Sequence, residues 1–337
     1  MAVCDRDQKK AAAFQSQWNV PVAYDDLDQM LEKEALDVVH VLLPPSAHAQ
    51  TAIQCLRGGC HILVEKPFCL STQECHEVAS VALAQQRQIG VNHNLTYMPK
   101  FLKLIDELKQ YRLGAVEHVT VVYVLPMPGL AAGQHGHWMF GGTERLILEL
   151  GPHPVSVIYA LLGAVEKAAT AVSGEMILTN GQRFFDTWQS SLVCERGSAQ
   201  LCLSVGKEYA NTWIHVVGQD GEAYVDLRRN TIRISEKTKY IRADNLVDAW
   251  RNSRRVLADG LRNFSSYAQG AVGLKPPYEL QTQSMTASIH AFYNALKSGG
   301  KIPVGAVEGT AVVQACEAII DSAYQFVMGG QNIAANG

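Results

Sequence analysis

The run "LDVVHVLLP", Leu36 to Pro44, constrains this chain more than any other stretch. It is β-branched and almost continuously apolar, as a parallel strand buried on both faces is. Such a strand needs helical crossovers, and helical patterns flank it: "QKKAAAFQSQW" before, and "AHAQTAIQCLRGG", closed by glycines, after. "MAVCD" ends as a strand would, and "HILVE", the helix "TQECHEVASVALAQQR" and the strand "IGVNHN" complete a β-α-β-α-β order over residues 1–98. This order predicts α/β architecture with a Rossmann-type doubly wound parallel sheet, whose ligands belong at the C-terminal ends of the strands.

The pattern then changes. "VEHVTVVYVL" (Val116–Leu125) reads as a long strand, and "RLILELGPHPVSVIYALLG" opens a helix beyond a loop rich in Gly, Pro and His. Six short runs between Val165 and Ser235 are separated by turn residues, which predicts a mostly antiparallel sheet. Helical patterns follow at about 245–267, 279–298 and 308–328. The expected organisation is a dinucleotide-binding domain over 1–98, N-terminally incomplete, and an α+β substrate-binding and oligomerisation domain over 99–330. Lys plus Arg total 29 against 32 for Asp plus Glu, with no long run of one sign, which disfavours nucleic acid and anionic membrane as partners. No stretch reaches the roughly 18 apolar residues of a membrane helix, and no signal peptide is visible, so a soluble cytoplasmic protein is expected. Eight scattered cysteines form no Cys-x-x-Cys pair, so neither a zinc site nor a disulfide framework is indicated.

Within "GGCHILVEKPFCLS" an apolar strand ends on Glu65-Lys66-Pro67. A lysine at the end of a parallel strand stands where this architecture puts its chemistry, although a lysine can also extend its stem to the surface. Around it, "LLPPSAHAQ", "VNHNLTYMP", "GGTERLILELGPHPVSVIYALLG" and the "EG" that opens the last helix follow in order. This set resembles the Gfo/Idh/MocA oxidoreductases, the glucose-fructose oxidoreductase and inositol dehydrogenase family, from Val3 to the final helix.

The resemblance implies a nicotinamide-dependent enzyme that moves hydride between NAD and the carbinol of a sugar or cyclitol, with NADP also open. Lys66 would lie beside the reacting hydroxyl, as base or as stabiliser of the alkoxide, with His153 as base or relay. The family pattern has an aspartate four residues before the histidine and an acid three after it; here these are Glu149 and Ser156. Glu149 is expected to partner His153 or substrate if both are helical, but Pro152 and Pro154 leave open that it precedes the helix. Asp5 would accept the ribose hydroxyls, with Arg6 able to meet a 2′-phosphate. Pro44, Pro45, His48, Glu65, Lys66 and Asn94 fall at cofactor positions, and Asn94 and Tyr97 at substrate or nicotinamide positions; the loop "GQHGHWMFGG", with His137 and Trp138, suits stacking on a sugar ring or a subunit contact. No metal is implied. A homo-oligomer, dimer or tetramer, is expected through the exposed face of the antiparallel sheet.

No glycine precedes Gly58, so the Gly-x-Gly-x-x-Gly turn of a dinucleotide fold is missing from these residues. Val3-Cys4-Asp5 matches the family's second strand, and the absent unit is its first strand, glycine turn and first helix. An incompletely read gene would explain this, as would a real short chain acting as a carbohydrate-binding pseudoenzyme. Glycoside cleavage by an NAD redox cycle is a third reading.

Overall fold

A computed structural model describes residues 1–237, 241–274 and 279–335, with side chains at 1–237, 245–274 and 279–327. The chain forms two compact units, residues 1–92 with 291–310 and residues 93–290 with 311–337.

In the first unit the order is β1 (Ala2–Cys4), α1 (Gln8–Trp18), β2 (Val22–Tyr24), α2 (Leu27–Lys33), β3 (Val38–Val41), α3 (His48–Arg57), β4 (His61–Val64), α4 (Thr72–Ala84) and β5 (Ile89–Val91). Helix starts follow local chemistry: Asp7, Asp26 and Ser71 each cap a helix with a side-chain oxygen. β2 and α2 were not expected; a three-residue strand behind Pro21 and a seven-residue helix are too short to show a period. All strand pairs are parallel, but they form two sheets, β1-β2 and β3-β4-β5. Ile62, Leu63 and Val64 of β4 are buried, whereas Ala2, Val3 and Cys4 of β1 remain half-exposed.

The second unit opens with α5 (Pro99–Lys109) and β6 (Val116–Leu125), then α6 (Pro128–Ala131), α7 (Arg145–Leu150) and α8 (Pro152–Leu162). Strands β7 (Val165–Ile177), β8 (Arg183–Cys194), β9 (Gly197–Val205), β10 (Asn211–Gly218), β11 (Gly221–Asp226) and β12 (Thr231–Glu236) join β6 in one seven-stranded sheet, ordered β12-β11-β10-β6-β9-β8-β7. Every pair is antiparallel except β6–β9. Burial alternates along β8, where Trp188, Ser190, Leu192 and Cys194 turn inward and Gln189, Ser191 and Val193 outward. That one-sided core includes Trp188, Leu146, Ile147, Ile158 and Leu162, each worth about 1.5–3 kcal/mol or more of transfer free energy.

Three helices close the chain: α9 (Ile241–Ala271), α10 (Leu280–Ser298) and α11 (Ala306–Ala335). The end of α10 and the start of α11 belong to the first unit, where the Val91 N–H donates to the Val304 carbonyl at 3.0 Å.

Candidate active site

In the first unit the expected cofactor residues gather at the C-terminal ends of parallel strands. Asp5 follows β1 and accepts the Asp7 N–H at 2.8 Å. Arg6 is exposed beside it. Beyond β3, Pro44 is exposed and Pro45 buried. His48 is fully buried, with Nδ1 2.8 Å from the Pro67 carbonyl and Nε2 2.8 Å from the Leu43 carbonyl. That ring therefore ties the segment after β3 to the Lys66-Pro67 segment. Glu65 and Lys66 follow β4, the middle strand of its sheet, both half-buried, and the Lys66–Pro67 peptide is cis. Glu65 Oε1 accepts from Asn92 Nδ2 at 2.7 Å. Asn92 Oδ1 is buried and meets no hydrogen-bond partner among the described residues, an acceptor that a bound N–H or O–H group can satisfy.

The "EG" of the last helix has a local cause here. Glu308 Oε2 accepts the Gly305 N–H at 2.9 Å. A Cβ on Gly309 would lie 2.8 Å from Val91 Cγ2 and 3.1 Å from the Phe68 ring, so α11 packs directly on β5 and the segment after Lys66. His40 and Tyr293, which the sequence reading passed over, share a hydrogen bond of 2.9 Å. Burial holds the His40 imidazole below its usual range, against an opposing pull from Glu65.

The second unit holds a separate cluster. Glu149 lies in α7 and His153 in α8, so Glu149 does not precede the helical segment. Gly151 keeps helical angles and its N–H reaches the Ile147 carbonyl at 2.8 Å, while Pro152 starts α8, where a missing N–H costs nothing. Trp138 Nε1 donates to Glu149 Oε2 at 2.7 Å. Tyr123, on β6, has its ring 5.8 Å from that of His153. Burial, and then the charge of Glu149, push the Tyr123 phenol up to about 12. Ser156 is buried and its hydroxyl donates back to the His153 carbonyl at 2.8 Å, as a helix-interior serine does. His137 is exposed next to Trp138, Tyr97 is half-buried, and buried Asn94 donates to Ser284 Oγ at 3.4 Å. Tyr123 was missed because β6 reads as a plain alternating strand, and nothing in that alternation marks one inward residue as polar-tipped.

A dinucleotide fits these residues only in part. Asp5 and the buried acceptor of Asn92 suit its ribose and nicotinamide ends. The pyrophosphate cradle is not among these residues: β1 and α1 match the family's second strand and the helix after it, and α1 caps itself with the Asp7 carboxylate, which accepts from Lys9 and Lys10.

Residues 1–93 match the Gfo/Idh/MocA family, described as an oxidoreductase family with an NAD-binding Rossmann fold. That match gives the first 93 residues a likeness to the family. Among curated proteins it is 30% identical over 122 residues to the scyllo-inositol 2-dehydrogenase (NADP(+)) of Bacillus subtilis, covering 36% of this chain and 37% of the relative. It is 24% identical over 228 residues to dTDP-3,4-didehydro-2,6-dideoxy-alpha-D-glucose 3-reductase of Streptomyces violaceoruber, covering 67% and 64%. The chain thus spans less than two thirds of these relatives. The structure of levoglucosan dehydrogenase in complex with NADH and levoglucosan superposes with a TM-score of 0.77 at 14% identity, over 96% of this chain and 88% of that one, a likeness of fold. No helix among the described residues is long and apolar enough to cross a membrane.

Proposed function

We propose that this chain belongs to the Gfo/Idh/MocA family and acts as an oxidoreductase that moves hydride between a sugar or cyclitol carbinol and a nicotinamide cofactor, with NAD preferred. The observation that carries this reading is Lys66, half-buried at the end of the middle strand β4 inside the family-matched segment. Relatives with polyol and sugar substrates in their names support the substrate class.

When bound, the nicotinamide supplies the hydride acceptor. Asp5 holds the ribose hydroxyls, and its carboxylate rather than a cation at the strand end favours NAD; exposed Arg6 is the group that would meet a 2′-phosphate. Pro44, Pro45 and Glu65 line the path, with His48 holding the Lys66 segment from behind. Lys66 Nζ takes the hydroxyl proton or carries the charge opposite the alkoxide. In the second unit His153 is the base or relay of this reading, and Glu149, held by the Trp138 indole, places its charge near Tyr123. Asn94, Tyr97, His137 and Trp138 contact the substrate. Oligomerisation as a dimer or tetramer is part of this reading.

The test is nicotinamide reduction by the purified chain at millimolar NAD or NADP, over a panel of hexoses, pentoses and inositols. Turnover of at least one polyol, faster with NAD, is expected. A panel with no turnover under either cofactor would remove the proposed activity.

A further inference from the structure

Helix α9 is built the wrong way round for a helix that packs on its own domain. Asn252, Arg255, Asp259 and Asn263, spaced three and four apart, share one face, and that polar face meets the sheet. Asn252 Oδ1 accepts the Ile234 N–H at 2.9 Å, Arg255 Nη1 donates to the Ile234 carbonyl at 3.1 Å, and Asp259 Oδ2 accepts the Ile232 N–H at 3.3 Å. Asn263 Nδ2 donates to the Arg229 carbonyl at 2.8 Å. β12 is an edge strand, and α9 satisfies its outward backbone groups with side chains. In consequence the apolar residues of α9 point away: Leu246, Trp250, Leu257, Leu261, Phe264 and Tyr267 are each 62–75% exposed. An amphipathic helix ordinarily turns this stripe toward a core.

We infer that the outer face of α9 is a self-association surface, covered in solution by a second copy of this chain. Area argues for it first. Six large side chains exposed to this extent present on the order of 700 Å² of apolar-rich surface. A typical monomer's largest patch is roughly 300–600 Å², and one side of a standard interface is about 800 Å². Composition argues second. Residues 245–271 contain no lysine and no glutamate, and their cations are Arg251, Arg254, Arg255 and Arg262. Trp, Tyr, Phe and Arg with few Lys or Glu is the make-up of protein interfaces, and Arg254 already lies over the Trp250 ring at 4.6 Å. Shape argues third. Ala249, Ser253 and Gly260 run beside the large residues on the same exposed helix, and nothing lies within 4 Å of where a Cβ on Gly260 would be. A mid-helix glycine costs about 1 kcal/mol relative to alanine, and at this place it opens a hole for a partner helix's knob. An anionic bilayer would take the stripe and the arginines but has no use for the hole.

Sedimentation equilibrium of the full chain at micromolar concentrations tests this. The wild type is expected to associate, and Leu257→Asp with Phe264→Asp to lower the mass at least twofold with an unchanged circular dichroism spectrum. Leu83→Asp, at an exposed leucine of α4, should keep the wild-type mass. Amide exchange over residues 245–271 should slow as concentration rises in the wild type alone. A monomeric wild type, or a double variant that keeps the wild-type mass, overturns the inference. So does concentration-independent exchange with pelleting on phosphatidylglycerol vesicles that the double variant loses, which would assign the face to a membrane surface.

Discussion

Tyr123 illustrates how a single side chain is tuned by what packs around it. Its phenol is buried near the Glu149 carboxylate, so the charged form is disfavoured twice. In the folded chain it titrates at about 12, above the 10.0 of an unperturbed phenol. The fold therefore keeps this contribution in full below about pH 10 and loses it as pH rises through about 12. Thermal unfolding should show stability falling over that window, by on the order of 2–3 kcal/mol for a displacement of that size, and Tyr123→Phe should flatten the fall. An equally steep fall in the variant would assign the loss to Tyr324, whose phenol is also pushed up to about 12 by burial and by its bond to Glu144. His48 gives a second residue-scale expectation. Removing its ring takes the partner from the buried Pro67 carbonyl and the part-buried Leu43 carbonyl, so His48→Ala should cost about 1–3 kcal/mol and slow any turnover that depends on Lys66. A variant as stable as the wild type in urea would show that the two carbonyl bonds contribute nothing.

Elements were legible where their period was long and their faces unlike. The six strands β7–β12 follow from alternation and turn residues, and β3 from its unbroken apolar run. β2 and α2 escaped because three and seven residues carry too little pattern. The reversed polarity of α9 escaped for another reason: periodicity reports that a helix is two-faced but not which face the domain receives. Of the candidate site, Lys66 and Glu149 stand out as residue types at motif positions and Trp138 as an aromatic in a histidine-rich loop, while the bond between Trp138 and Glu149, eleven residues apart, depends on a loop path no local rule specifies. Two predictions belong at this scale. Gly309→Ala forces a methyl into Val91 and Phe68 at the start of α11, and overpacking of this kind costs about 1–3 kcal/mol; an unchanged urea midpoint would mean that the contact yields freely. Among these residues no glycine turn cradles a pyrophosphate. Each missing charge-assisted hydrogen bond is worth about 1.5–3 kcal/mol, so titration calorimetry on these 337 residues should find NAD binding orders of magnitude weaker than micromolar. Micromolar affinity would contradict this account of the cofactor end.

At the scale of the whole molecule, two units carry separate halves of the proposed chemistry: strand ends with Asp5, Lys66 and Asn92 in one, and Tyr123, Trp138, Glu149 and His153 in the other. The excursion of residues 291–310 back to the first unit was not legible, because a helix as uniform as α10 gives no sign of where along it the packing partner changes. Lys66 is the residue on which the functional reading turns. The most direct measurement compares wild type and Lys66→Ala for polyol turnover, each at matched fractional saturation with NAD. The account predicts a fall of about 10²–10⁴-fold in turnover, the share of a general acid-base group, with the dissociation constant for NAD unchanged within about twofold. A Lys66→Ala enzyme that turns over like the wild type would contradict it.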